Sequence, residues 1–270
     1  MIVEIFCLLC ACASAVTGGI FLCHNWWDFW IPLLLLIGGY ILGIGLTCVN
    51  YTIFTWFVDQ KHEHKKIHKW SRFWFTQGLQ FVNFHAGARC KVIGKEKLPK
   101  GQRFVLIGNH RSNFDSMLIS EKLWRYDIAF ITKDSNMKIP WGNKFMRGLC
   151  YLPINREDLL QSLSQFKKAS ELIQNNVCSI GVFPEGKRQT DKAIGDFHEG
   201  AFNIAIKSGC PLVITINRNG EYIKKNFPWK TTKTNIEIIG VIPWEEICDK
   251  PAKAVSDMVH QLMYDALKNN

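Results

Sequence analysis

"RFVLIGNHRSNFDS", residues 103–116, is the stretch on which the reading of this chain turns. Its first half, "RFVLI" (103–107), is a short apolar run of the kind that forms a buried strand. Its second half, "GNHRSNFDS" (108–116), puts a histidine, an arginine and an aspartate directly behind that strand. Two readings fit. "SNFD" (112–115) matches a capping box, in which Ser112 starts a helix and Asp115 supplies the carboxylate of its first turn. The same spacing lets the Asp115 carboxylate turn back to the far ring nitrogen of His110. That would fix the tautomer and leave the other nitrogen free to take a proton from a hydroxyl. The readings are compatible, because a capping carboxylate is rigidly held; the cap itself has no use for the histidine.

Working outward, strand-like and helix-like segments alternate from residue 89 onward. Strands are expected at 89–93, 103–107, 127–132, 150–154, 178–183, 211–216 and 235–242. Helices are expected at 113–124, 157–175, 197–208 and 252–268, with Leu159, Leu163, Phe166 and Ile173 lining one face of the second. Val255, Met258, Leu262 and Met263 do the same in the last. This alternation predicts an α/β domain over 89–270, with a mixed, largely buried sheet flanked by helices.

The chain before it is of another kind. Residues 5–23 and 31–49 are two uncharged runs of 19 positions, each close to the hydrocarbon thickness of a bilayer if helical. Between them lies "HNWWDFW" (24–30), rich in the aromatic residues that favour a membrane–water interface. Ala15 and Gly19 in the first run, and Gly39 and Gly43 in the second, are small residues at the spacing that lets helices approach closely. We expect a membrane helical hairpin over 1–60, either spanning the bilayer or dipping into one leaflet. "ACASA" (11–15) resembles a signal cleavage site, but Glu4 stands where a cation belongs and a second apolar run follows. Residues 61–88 read as an interfacial amphipathic helix, with Ile67, Trp70, Trp74 and Phe81 near one face and Lys65, Lys66, Lys69 and Arg72 beside them. An ordinary helix on the catalytic domain is the plainer reading of the same residues. "KHEHKK" (61–66) places the following domain on the cytoplasmic face.

Charge divides the same way. Residues 1–60 hold no Lys or Arg and three acids, so 33 basic and 20 acidic residues leave +13 on residues 61–270. Such a surplus suits an anionic partner: a lipid surface, a phosphorylated substrate or nucleic acid. RNA-binding and zinc-finger signatures are absent from the sequence, which argues against nucleic acid. The ten cysteines show no disulfide-scaffold spacing, and "CLLC" (7–10) lies inside an apolar run, so reduced thiols acting as small apolar side chains are expected. His64 and His68 stand four apart without a third ligand in the sequence, and no metal is expected.

Three further stretches bear on chemistry. "GVFPEGKR" (181–188) is a strand ending in a tight turn that brings Glu185, Gly186, Lys187 and Arg188 together; an Arg fork suits a phosphate, although a plain strand-end turn explains the pattern too. "LPINRED" (152–158) puts Arg156 between a strand and a helix start, where a cation opposes the helix dipole. "SGCPLVITI" (208–216) reads as a core strand.

Together, "NHRSNFD", "FITKDSNMKIPWGNKFMRGLCYLPINR", "FPEGKR" and "HEGAFNIAIKSGCPLVITI" resemble, in order and spacing, the glycerolipid acyltransferase family, and its 1-acyl-glycerol-3-phosphate acyltransferases in particular. The resemblance runs from about residue 89 to about 216. Arg111 stands where that family often has Gln, Lys187 where it often has Thr, and His198–Glu199 where it often has a basic residue.

The resemblance implies transfer of a fatty acyl group from a thioester to the free hydroxyl of 1-acyl-sn-glycerol-3-phosphate, giving phosphatidic acid. It implies His110 as general base and Asp115 as its orienting carboxylate. Arg156, Lys187 and Arg188 would hold the acceptor phosphate, and Glu185 and Gly186 would shape the acceptor site. Backbone N–H groups near Glu185 and Gly186 would meet the oxyanion of the attacked thioester. No cofactor is implied: acyl-CoA or acyl carrier protein enters as the donor substrate. The rivals are acylation of glycerol-3-phosphate or another lysolipid, hydrolysis of the thioester, and a membrane-anchored lipid-binding protein without chemistry.

Overall fold

The structure, a computed structural model, describes residues 1–58, 66–155, 157–189 and 194–268. Arg156, His64 and most of the basic run at 61–66 lie outside the described residues.

The first helix, α1 (Ile2–Leu22), turns through a 3-10 segment at Trp26–Phe29 into α2 (Trp30–Trp56). Both are long and apolar enough to cross a membrane, and side chains such as Leu9, Ile20, Phe21, Leu33 and Ile41 stay exposed. Their contact depends on absent side chains. A Cβ on Gly39 would lie 2.7 Å from the Cys10 carbonyl oxygen, and one on Gly43 would lie 2.8 Å from the Cys7 Cα. On α1 these glycines meet Cys7, Cys10 and Ser14, while Gly18 and the expected Gly19 lie against Leu35 and Pro32 of α2.

Helix α3 (Lys69–His85) buries Ser71, Arg72, Thr76, Gln77, Leu79 and Asn83 against the rest of the protein and leaves Trp70, on the expected interfacial face, exposed. Arg72 is therefore no lipid-facing cation. It is buried, 3.5 Å from the Asp127 carboxylate and within 3.5 Å of the Ile128 carbonyl. The hairpin is joined firmly to the rest through this layer. Tyr51 donates to the Trp74 carbonyl at 2.7 Å, Trp141 Nε1 to Thr52 Oγ1 at 2.9 Å, and Phe54 stacks on Phe145 at 5.6 Å.

The sheet comprises β1 (Ala88–Ile93), β2 (Val105–Gly108), β3 (Ile128–Lys133), β4 (Leu152–Ile154), β5 (Ser179–Val182), β6 (Leu212–Arg218) and β7 (Thr232–Ile242). Their order is β1-β7-β6-β2-β5-β3-β4, parallel throughout except for the antiparallel β6–β7 pair. Every residue of β2 and β5 is buried, as strands covered on both faces require. Each fully buried Leu, Ile or Val there contributes about 1.5–3 kcal/mol.

The helices α4 (Phe114–Lys122), α6 (Leu159–Gln174), α7 (Gly200–Ser208) and α9 (Ala252–Lys268) occur where the sequence predicts them. Two more, α5 (Gly142–Gly148) and α8 (Tyr222–Asn226), are too short to show a periodic signal. Leu159 and Leu163 are exposed, because the buried stripe of α6 runs through Ser162, Ala169 and Ile173. Leu262 is exposed for the same reason, beside the buried Val255, Val259 and Met263.

Connection order positions the crevice. From β2 the chain crosses β5 to reach β3; from β5 it crosses β2 to reach β6. Right-handed crossovers in opposite directions put α4 and α7 on opposite faces. Helix α4 packs with α3, and α7 with α6 and α9. A crevice therefore opens at the carboxyl ends of β2 and β5, the place where open α/β sheets bind ligands.

Candidate active site

Two strand ends meet in that crevice, and backbone bonds lock them. Strand β2 ends at Gly108 and delivers His110; its neighbour β5 ends at Val182 and delivers Phe183 to Arg188. The His110 N–H donates to Glu185 Oε1 at 2.8 Å, and the Gln189 N–H donates to the His110 carbonyl at 2.8 Å. Glu185 is 3% exposed and also accepts the Gly195 N–H at 3.2 Å. Burial pushes its carboxyl above the ordinary value, against the pull of the His110 and Gly195 N–H groups.

At the centre, His110 Nδ1 lies 3.0 Å from Asp115 Oδ2. The same oxygen accepts the backbone N–H groups of Arg111 and Ser112, each at 2.7 Å. Asp115, in the first turn of α4, thus closes the turn that leads into the helix, whose N-cap is Asn113 without a capping side-chain bond, and holds the imidazole with the same atom. As a carboxylate it can only accept, so the Nδ1 proton faces it and Nε2 presents its lone pair outward. The His110 side chain is 19% exposed and that of Asp115 is 1% exposed. One group reaches the crevice while the other is sealed behind it.

Packing fixes the ring further. His110 stacks on Phe183 at 4.5 Å and 12°, and Phe183 stacks on Phe130 at 5.6 Å. Behind Asp115 the chain passes too close for any side chain: a Cβ on Gly220 would sit 2.7 Å from Asp115 Oδ1. Beside that glycine, Glu221 Oε1 accepts from Arg111 Nη2 at 2.7 Å, a largely buried pair that ties α8's entry to the loop carrying His110. Asn109 and Asn217 add three more hydrogen bonds between the ends of β2 and β6, at 2.6, 2.9 and 3.1 Å.

Glu221→Gln keeps an acceptor but removes the charge. It should cost about 1.5–3 kcal/mol of unfolding free energy, read as a lower denaturant midpoint at unchanged slope. An unchanged midpoint would show that the pair holds nothing in place.

The cations meet the crevice from the β5 side. Lys187 and Arg188 are exposed, and neither forms an ion pair among the described residues. Arg188 Nη1 donates to Asn113 Oδ1 at 2.8 Å, which aims it at the loop of His110. Gly186 has φ +67°, and a Cβ there would strike the His198 ring at 2.8 Å. Its N–H donates to the Phe183 carbonyl at 3.1 Å and closes the turn. That one donor is already used within the turn.

The structure thus brings together His110, Asp115, Glu185, Gly186, Lys187 and Arg188, while Arg156 lies outside the described residues. Sequence reasoning missed Phe183, Gly220 and the Arg111–Glu221 pair. Phe183 lies inside "GVFPEGKR" but signals nothing there, and Gly220 and Glu221 lie far along the chain in an unremarkable turn. The arrangement provides a proton acceptor with a fixed tautomer, next to unpaired cations, in a crevice at the sheet's end.

Comparison with known proteins bears on the same residues. The sequence model of a family described as Acyltransferase matches residues 89–216. The chain is 23% identical over 192 residues to the 1-acyl-sn-glycerol-3-phosphate acyltransferase alpha of Ovis aries, covering 68% of this chain and 65% of that protein. It is 30% identical over 142 residues to a chloroplastic 1-acyl-sn-glycerol-3-phosphate acyltransferase of Brassica napus, covering 52% of this chain and 40% of that one. It therefore spans less than two thirds of the length of either relative. The fold is that of the crystal structure of the 1-acyl-sn-glycerophosphate (LPA) acyltransferase from Thermotoga maritima, with TM-score 0.61, 19% identity, and coverage of 99% of this chain and 96% of that one.

Proposed function

We propose that this chain is a member of the glycerolipid acyltransferase family, as the match of residues 89–216 to the Acyltransferase sequence model supports, and that it acylates the free hydroxyl of 1-acyl-sn-glycerol-3-phosphate to give phosphatidic acid. The observation that carries the reading is the single Asp115 oxygen, which holds the His110 ring by Nδ1 and so turns Nε2 toward the crevice.

In this mechanism the acceptor hydroxyl gives its proton to His110 Nε2 as its oxygen adds to the thioester carbonyl carbon. Asp115 stabilises the imidazolium so formed. Collapse of the tetrahedral intermediate breaks the carbon–sulfur bond, and the imidazolium returns the proton to the departing thiolate. Acyl-CoA or acyl carrier protein supplies the thioester, and the positive surface of residues 61–270 attracts either. Direct transfer needs no acyl-enzyme. Cys150 is buried at the amino end of β4, at the end of the sheet opposite His110.

Lys187 and Arg188, with Arg156, hold the acceptor phosphate in this scheme. Glu185 holds the turn that presents the first two. The hairpin keeps the crevice near the headgroups of the membrane in which the acceptor resides. The basic bias after residue 60 puts the catalytic domain on the cytoplasmic face.

The test offers the purified chain a panel of lysolipids with both donor types and identifies the product by mass. Phosphatidic acid formed from lysophosphatidate supports the proposal, and turnover confined to another acceptor overturns it. Within that assay, Arg188→Ala should raise KM for lysophosphatidate by about ten- to a hundredfold, the weight of one charge-assisted hydrogen bond. It should change kcat little. An unchanged KM would remove Arg188 from the phosphate site.

A further inference from the structure

Away from the crevice, a cavity of about 810 Å³ opens at the β1 edge of the sheet, against the end of α3 and the start of α1. Four cations line it: Arg89, Lys91, Lys122 and Lys233. The parallel β1–β7 register sets Arg89 directly opposite Lys233, and Lys91 opposite Asn235. Like charges facing one another across a strand pair destabilise a sheet. Cations on an edge strand alone would have a simple purpose, since they discourage edge-to-edge pairing. That accounts for Arg89 and Lys91. It does not account for Lys233, which sits on the interior strand β7, or for Lys122, which comes from α4.

The one carboxylate in the cavity, Glu121, answers Lys122 alone, accepting from its Nζ and from Asn83 Nδ2 at 2.6 Å each. Arg89, Lys91 and Lys233 form no ion pair among the described residues. Arg89 is nonetheless held, donating to the Phe84 and Ala88 carbonyls with its guanidinium 4.6 Å from the Phe84 ring centroid. Asn83 is 2% exposed, and its Oδ1 lines this region without a hydrogen-bond partner.

Position identifies the occupant. Met1 lines the cavity, and its amino group and the Ile2 N–H both bond Gln77 Oε1, at 2.9 and 2.8 Å. From that point α1 continues with exposed apolar side chains, Ile5 and Leu9 among them. A bilayer that holds the hairpin would end at this level. We infer that the cavity binds the phosphate headgroup of an anionic phospholipid in that bilayer, at a second site distinct from the acceptor site at Lys187 and Arg188. A nucleotide such as the adenosine end of coenzyme A fits less well: the one aromatic ring lining the cavity, Phe84, is covered by Arg89.

The experiment uses the full chain in neutral detergent micelles containing equal phosphatidylglycerol and phosphatidylcholine, with retained lipid counted by native mass spectrometry. A headgroup-level cation is worth about fivefold in binding, so three unpaired cations predict enrichment of phosphatidylglycerol on the order of a hundredfold. R89Q/K91Q/K233Q should abolish the preference, and K187Q/R188Q should keep it. If the triple variant does not reproduce the parent's circular dichroism and melting, K91Q/K233Q is read in its place. Equal enrichment in parent and cavity variant would overturn the site. So would loss of enrichment in K187Q/R188Q, which would move the lipid to the crevice. Displacement of the lipid by millimolar inorganic phosphate or coenzyme A would reassign the cavity to a soluble anion and also overturn it.

Discussion

His110→Ala should lower kcat by about 10²–10⁴-fold, the contribution expected of a positioned general base, which corresponds to about 2.7–5.5 kcal/mol of barrier. The substitution removes the group whose Nε2 faces the crevice and leaves what surrounds it. Glu185 still accepts the residue's backbone N–H, and Gln189 still donates to its carbonyl. Asp115 keeps its two backbone donors, so the turn leading into α4 stays closed. Lys187 and Arg188 are untouched, so KM for lysophosphatidate should hold within a few fold. The rival readings separate in the same measurement. A lipid-binding protein without chemistry would have no turnover to lose. A thioesterase would release free fatty acid from the parent chain without any acceptor, whereas acyl transfer requires one. Full turnover in a folded alanine variant would remove His110 from the chemistry.

The lost packing must be kept apart from lost chemistry, because the ring stacks on Phe183. His110→Gln is the companion variant. Its amide can donate to Asp115 and fill part of the space, yet it has no basic nitrogen. If catalysis depends on the base, both variants fall together; if it depends on packing, the glutamine recovers most of the rate.

What could be read in advance followed sequence distance. The strands of the inner sheet announced themselves because β2, β5 and β6 are almost continuous apolar runs, which only burial on both faces explains. The His110–Asp115 contact was legible because five residues suffice to bring a carboxylate back to a ring. Gly220 and Glu221 were not. They reach the same loop across a separation of 110 residues, through a crossover that no local pattern encodes. Helix α3 hid its other face for another reason. It buries Arg72, Gln77 and Asn83, each given a partner by another element: Asp127, the start of α1, and Glu121. Buried polar groups are tolerated when paired, and pairing between distant segments leaves no periodic trace.

Asp115→Asn tests whether the carboxylate acts in catalysis or only closes the turn leading into α4. Alanine is the poorer probe, since it would strip the Arg111 and Ser112 N–H groups of their acceptor, at about 1–3 kcal/mol for each buried donor. Asparagine can keep its carbonyl oxygen where Oδ2 now accepts three N–H groups. The two backbone donors enforce that orientation, so the imidazole keeps its proton on Nδ1 and Nε2 stays free. Its amide nitrogen would take the place of Oδ1, buried without a partner beside Gly220, which adds a modest cost to stability. What the variant loses is the negative charge opposite the imidazolium formed as the hydroxyl is deprotonated. In serine proteases, where the corresponding change also imposes the wrong tautomer, the loss is about 10⁴. Here the tautomer is retained, and a smaller loss of about 10²–10³ in kcat follows, with KM nearly constant. A folded D115N variant turning over at the parental rate would reduce this carboxylate to a clasp on the turn before α4, and the proposed base would then work without a counter-charge.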